Sequence, residues 1–297
     1  TLEQIGTAPD GRPIYRSIDR SDPDCVDPTS SACSSRSFNN DFILTNFDGG
    51  KQDVISLAFS QDFDFGFDYT LAYAWMQSED SNPMTSSVAF SNYSSVAVSD
   101  PNNPTAATSN YEIPHRFTLR MSYETEIFFD LATRVSLFGQ MSQSRPYSFV
   151  FDNDDGDIFG DAADRRHLLY VPTDANDPNV VFGPNFDTNA FFAYVDANGL
   201  PRGEIAGRNA FEGSWWTKFD LRFEQELPGL MDGHSSAAYM VINNVGNLIN
   251  DEWGILRQAS FPQMRAIVDA DYDAATNQYI YESFNPLTPE SRVSNAS

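Results

Sequence analysis

The stretch FDYTLAYAW, Phe67 to Trp75, decides how this chain reads: Phe67, Tyr69, Leu71, Tyr73 and Trp75 alternate with Asp68, Thr70, Ala72 and Ala74. Side chains on a β-strand point to opposite faces with a period of two, so one face is expected to be bulky and apolar and the other small or polar. The register returns further along. Phe117, Leu119, Met121 and Tyr123 alternate with Arg116, Thr118, Arg120, Ser122 and Glu124, and Phe219, Leu221 and Phe223 alternate with Lys218, Asp220, Arg222 and Glu224. A soluble sandwich buries its apolar face under a second sheet and shows a weakly polar outside. A transmembrane barrel shows lipid an aromatic-rich outside and encloses a charged, watery lumen. The second pattern fits better. Phe67, Tyr69, Leu71, Tyr73, Phe117, Leu119, Met121, Phe219, Leu221 and Phe223 are therefore expected to face lipid, and Arg116, Arg120, Arg134, Lys218, Asp220, Arg222 and Glu224 the lumen. Trp75, Trp215, Trp216 and Tyr147, near strand ends, are expected at the membrane interfaces.

The connections carry the second signal. Residues 41–46, 53–63, 67–77, 114–124, 131–143, 215–227 and 235–245 read as strands, with weaker signals at 264–268 and 278–284. Tyr147, Phe149 and Phe151 continue the register of 131–143 past Arg145-Pro146. Short turns at 64–66, 125–130 and 228–233 alternate with long polar loops at 78–112 and 152–209, as periplasmic turns alternate with extracellular loops in outer-membrane barrels. No helical periodicity of useful length and no short repeat is evident. The expected fold class is all-β, an antiparallel transmembrane β-barrel.

Composition narrows the function. The 297 residues carry 42 acidic and 18 basic side chains, a net charge of −24, which leaves too little positive charge to neutralise a phosphate backbone and excludes nucleic acid as a partner. No run approaches the ~20 apolar residues of a membrane helix, but a membrane strand needs only ~9–11 residues that alternate. Cys25 and Cys33 close a short Pro, Ser and Asp-rich segment, where a disulfide suits an oxidising compartment and two free thiols are the alternative. Asp152, Asp154, Asp155, Asp157, Asp161 and Asp164, with Gly156 and Gly160 for tight turning, are candidate Ca²⁺ ligands in an extracellular loop, because Ca²⁺ takes six to eight oxygens; a solvated acidic loop is the alternative. The EF-hand spacing is not met. His115, His167 and His234 have neither metal spacing nor a nucleophile signature beside them, so no catalytic residue is assigned and no cofactor is required.

Four phrases in fixed order carry a family resemblance. SNYEIPHRFTLRMSY (109–123) resembles the Asn-Tyr-x-x-Pro-His-Arg-Phe strand entry in the C-terminal barrel half of TonB-dependent outer-membrane receptors, particularly the Oar-like group with a carboxypeptidase-regulatory-like N-terminal domain. SRPYSFVFDNDDGDIFGDAADRRHLLYVP (144–172), WWTKFDLRFEQELPG (215–229) and VINNVGNLINDEWG (241–254) are similar to later parts of that barrel. The resemblance implies a ~22-stranded barrel with an N-terminal plug. Residues 1–297 would be the C-terminal portion, the plug domain and last strand lying outside them. It also implies the outer membrane of a Gram-negative bacterium, with lipid and lipopolysaccharide around the barrel and an inner-membrane energy-coupling protein as partner. The expected function is uptake of a scarce or large substrate, recognised by loops 78–112 and 152–209. Two other readings stand beside it: a structural or interaction subunit of a larger outer-membrane assembly, binding surface lipoproteins, and a secreted β-sandwich binding module.

Overall fold

A computed structural model describes residues 2–17, 43–128, 130–152, 158–161, 163, 165–229, 231, 233–288 and 290–293. Cys25, Cys33, Asp154, Asp155, Asp157 and Asp164 lie outside the described residues. The chain is mostly β. A first hairpin pairs β1 (Leu2–Thr7) with β2 (Pro13–Ser17). Then come the long strands β3 (Lys51–Asp62) and β4 (Phe67–Asp80), the short β5 (Ala107–Thr108), and the long β6 (His115–Phe128) and β7 (Leu131–Gln143). Short pieces follow: β8 (Ser148–Phe151), β9 (Tyr170–Val171), β10 (Val180–Phe182) and β11 (Glu204–Ile205). The long β12 (Trp215–Pro228) and β13 (Ser235–Ile242) precede β14 (Arg257–Gln258), β15 (Met264–Asp273), β16 (Gln278–Phe284) and β17 (Ser291–Arg292). Two helices, α1 (Ala89–Ser94) and α2 (Thr188–Asn198), sit in the long connections.

The long strands form one antiparallel up-and-down sheet in the order β13-β12-β7-β6-β4-β3, with β5 beside the end of β4. Among the described residues it stays open, with β3 and β13 as its edges. The expected rhythm is present: short links at 63–66, 129–130 and 229–234 join strands at one end, and the long connections 81–114 and 144–214 leave from the other. Gly66 makes the first turn tight. Its φ of +88° belongs to glycine, and a Cβ there would stand 2.2 Å from the Glu124 carbonyl oxygen.

The long connections are not loops. With the N-terminal hairpin and the segment after β13 they build a cap, centred on a second sheet ordered β10-β16-β15-β8. Only β15 and β16 pair antiparallel there; β10 with β16 and β8 with β15 are parallel. This corrects four expectations. Tyr147, Phe149 and Phe151 do not extend β7: the chain leaves the long sheet after Gln143, and Ser148–Phe151 crosses to β15. Residues 43–46 are not strand. The region 152–209 contains paired strands, and a helix forms within it. α2 is started by Asp187, whose carboxylate accepts from the Ala190 N–H at 2.9 Å, and ended by Gly199 in the left-handed region.

The protein's core lies in this cap. Phe149, Phe151, Phe191, Tyr279 and Tyr281 are wholly buried there and meet largely edge to face, as in Phe149–Phe211 (4.7 Å, 76°) and Phe191–Tyr281 (6.1 Å, 87°). Arg12 anchors the N-terminal hairpin in this core: it donates to the Leu168 carbonyl at 2.5 Å, pairs with Asp10 at 2.5 Å and lies 4.6 Å above the Phe159 ring. At the seam with the long sheet, Arg208 donates to the Ala107 and Ser81 carbonyls (2.8 and 3.0 Å) and to the Asp80 carboxylate (3.0 Å). The cap is thereby riveted to the end of β4.

Candidate functional site

Cross-strand register sorts the long sheet into two chemically opposite faces. Leu57, Tyr73, Phe117, Met141 and Thr217 form one row; Phe59, Leu71, Leu119, Gly139 and Phe219 the next; Tyr69, Met121, Leu137 and Leu221 a third; Phe67, Tyr123, Val135, Phe223 and Met240 a fourth. All ten residues expected to face lipid lie on this one side. It is uncovered: Leu57, Phe59 and Leu71 are 67%, 58% and 49% exposed, and among the described residues no second sheet lies over it. A contiguous apolar patch of this extent is unusual on a water-facing protein.

Within the face, residue type changes along the strands. At the cap end Tyr73 and His115 share a 2.9 Å hydrogen bond, His115 stacks on Trp215 at 5.9 Å, and Trp75 pairs with His115 in the ladder. At the hairpin end Phe63, Phe65, Phe67 and Tyr69 form a chain of rings with centroids 5.3–6.2 Å apart. Between them the rows are mainly aliphatic. Trp75 to Phe67 is eight residues, ~26 Å along a strand. A tilt of ~40° shortens this to ~20 Å, and the Phe63–Phe65 turn extends it toward the ~25 Å apolar band of membrane barrels. A shallow concavity of about 460 Å³ lies over the middle. Gly139 lets the Phe219 ring lie flat across it, since a Cβ there would stand 2.8 Å from that ring.

The reverse face is polar. Its rows run Ala74, Arg116, Ser142, Trp216; Ala72, Thr118, Gln140, Lys218; Thr70, Arg120, Phe138, Asp220; and Asp68, Ser122, Ser136, Arg222. The seven residues expected to line a lumen all lie here. Arg134 pairs with Glu124 directly opposite it, Lys218 with Asp220 at 3.1 Å, and Arg222 with Glu224 while covering the Tyr239 ring at 4.8 Å. Exposed pairs of this kind add about 0–1 kcal/mol each in water, so they shape the face more than they hold it. Arg116 and Arg120 are exposed and have no ion pair among the described residues. Two expected interface aromatics lie elsewhere: Trp216 is on the polar face, and Tyr147 is buried in the cap, stacked 5.9 Å from Phe211, with its hydroxyl pushed up to about 12 by burial and by Glu290.

Of the acidic run, Asp152 and Asp161 are described. Asp152 pairs with Arg165 at 2.6 Å. Asp161 is fully buried, 3.0 Å from His167 Nε2 and 3.5 Å from Arg166, and accepts from the Tyr93 hydroxyl at 3.3 Å. Burial opposes its charge, but His167, Arg166 and the Ala163 N–H hold its pKa below the usual carboxylate value. Burial drives His167 the other way from a charged imidazole: its pKa is lowered, with Arg166 and Arg12 adding repulsion against the opposing pull of Asp161. Its ring stacks on Phe159 at 4.2 Å. The sequence offers Asp161 as a candidate Ca²⁺ ligand and gives His167 no metal or catalytic role; their buried pairing beside Arg166 has no local signal in the sequence. Among the described residues no group of three His, Cys, Asp or Glu side chains stands close enough to hold a metal ion.

No family model, curated protein or solved structure matches this chain.

Proposed function

We propose that this chain is part of an outer-membrane β-barrel of the TonB-dependent receptor type, its long sheet a section of barrel wall and its cap the external, substrate-meeting side. One observation carries the reading: the uncovered apolar face bears an aromatic row at each end and backs onto a charged face. Lipid is the solvent that makes such a face stable, and a wet, plug-bearing lumen is the surrounding that suits Arg116, Arg120 and the paired charges. The open edges β3 and β13 would each pair with a further strand of the barrel wall, since an unpaired edge is untenable in hydrocarbon. The four sequence phrases supply the choice of receptor family, and the substrate would be recognised by the cap, the connection 81–114 included.

The test is the native protein's behaviour without detergent. Membrane-reading outcomes are retention in alkali-washed outer-membrane fractions and loss of solubility when detergent is removed. A monodisperse, detergent-free protein sinks the reading. A second reading, a structural subunit binding surface lipoproteins, is favoured by the cap, which is a packed body and not a set of loops. It predicts stable co-purification with surface proteins whether or not the inner membrane is energised, whereas uptake would stop on de-energisation.

A further inference from the structure

A second concavity lies where the cap meets the end of the long sheet. Segments 97–100 and 205–208 are both bonded to 166–169: the Val98 N–H donates to the Arg166 carbonyl and the Leu168 N–H to the Val98 carbonyl, each at 3.0 Å, and the Ala206 N–H donates to the Leu169 carbonyl at 2.8 Å. With 103–107 they surround about 360 Å³, within the ~300–1,000 Å³ of small-molecule clefts. The apolar lining is aliphatic. Val98 and Leu168 are buried, Ile205 is half-buried, and among the described residues no aromatic ring borders the space. Two charged side chains border it, Arg208 and Asp100, and each has a position unused. Arg208 is 7% exposed; its terminal nitrogens are taken by the Ser81, Asp80 and Ala107 carbonyls and the Asp80 carboxylate, but its Nε has no acceptor among the described residues. Asp100 accepts the Tyr15 hydroxyl at 2.7 Å and the Asn102 N–H at 3.0 Å, both on Oδ1, and Oδ2 accepts no bond among the described residues. A buried donor left without an acceptor is destabilising, so a ligand oxygen at Nε would displace no protein bond.

We propose that this cavity binds a small aliphatic zwitterion, a free amino acid or a short peptide. Its carboxylate accepts from Arg208 Nε, its ammonium donates to Asp100 Oδ2, and its side chain lies on Val98, Leu168 and Ile205. Charge decides the class. Asp80 cancels Arg208 at 3.0 Å, which leaves the Asp100 charge uncompensated in a chain of net charge −24, so a simple anion is repelled and the ligand must carry a cation of its own. The aliphatic lining offers no ring on which an aryl ligand could stack. Binding itself needs no membrane. The role of the cavity as a substrate site rests on the receptor reading above, since the cavity belongs to the cap.

The experiment is calorimetric titration of the full chain in detergent micelles with L-leucine, L-leucyl-L-leucine, N-acetyl-L-leucine and inorganic phosphate. Expected are saturable binding of at least one zwitterion, binding of N-acetyl-L-leucine weaker by about tenfold or more for want of the ammonium, and none of phosphate. The tighter of the two zwitterions tells a free amino acid from a peptide. Asp100→Asn, which keeps an acceptor for Tyr15, should weaken zwitterion binding by about tenfold or more. Thr105→Trp, at the exposed rim, should abolish it at unchanged melting temperature. Failure of both zwitterions to bind at millimolar concentration, equal binding of N-acetyl-L-leucine, or binding indifferent to either substitution overturns the proposal. If binding fails in a protein that still needs detergent, the cavity proposal falls and the membrane reading stands. If a protein monodisperse without detergent binds the zwitterion, the proposal stands and the membrane reading falls.

Discussion

His167 shows what a single residue contributes here. Its imidazole is buried against Phe159, 3.0 Å from Asp161 and beside Arg166, with Arg12 also near enough to repel a proton. Because burial lowers its pKa in the folded protein, the unfolded chain takes up the proton first as pH falls through about 6.5. The stabilisation is thus full above that pH and is lost on acidification. Asp161, also held below its ordinary value, adds a loss of the same sign at lower pH. Thermal melts in fixed detergent should show the cap unfolding at lower temperature at about pH 5 than at pH 7. His167→Gln should flatten that dependence between these limits while keeping the dependence at lower pH. An unchanged slope in the variant would remove His167 from the account.

Among elements, β6 separates the two faces most sharply, since Leu119 and Thr118 are neighbours on opposite sides, and the membrane reading assigns them different solvents. Leu119→Arg should destabilise the protein in a bilayer by about 2–4 kcal/mol, as expected for a cation at membrane mid-depth. Thr118→Arg, joining Arg116 and Arg120, should change stability by less than about 1 kcal/mol. Urea titrations in vesicles would measure both, and equal costs would mean that the faces do not differ in solvent. Strands of this kind were legible in the sequence because alternation is a local signal: β4, β6, β7 and β12 start and stop within a few residues of where their patterns do. The cap was legible only at β15 and β16, where the weaker signals at 264–268 and 278–284 fall. Its other strands are two to six residues long and mostly paired with segments far away in the chain, so no local period announces them. α2 did leave a trace, in the Asp187 start and Gly199 stop, but only Phe191 and Val195 of its residues are buried, too few to make a helical stripe.

At the scale of the whole molecule, two bodies differ in where their apolar side chains lie, packed inside the cap and exposed on one face of the long sheet. The cap has an aromatic core of its own, and the long sheet has none on either face. Phe191→Ala, removing a wholly buried ring, should cost about 3–5 kcal/mol. Hydrogen exchange should then quicken at Tyr279 and Tyr281 while β6 and β7 keep their protection; uniform loss would mean that the two bodies melt together. The candidate site divides along the same line. The faces of the sheet could be assigned from residue parity, whereas the surfaces that would meet a substrate depend on the cap. The anchoring of Arg12 carries one more consequence. Its guanidinium contacts Leu168 and Tyr279, partners 156 and 267 positions away, so the first hairpin cannot be satisfied until nearly all of the chain has emerged. Maturation should therefore run from wall to lid, with β1 and β2 docking last, and a chain halted before Tyr279 should leave that hairpin open to protease.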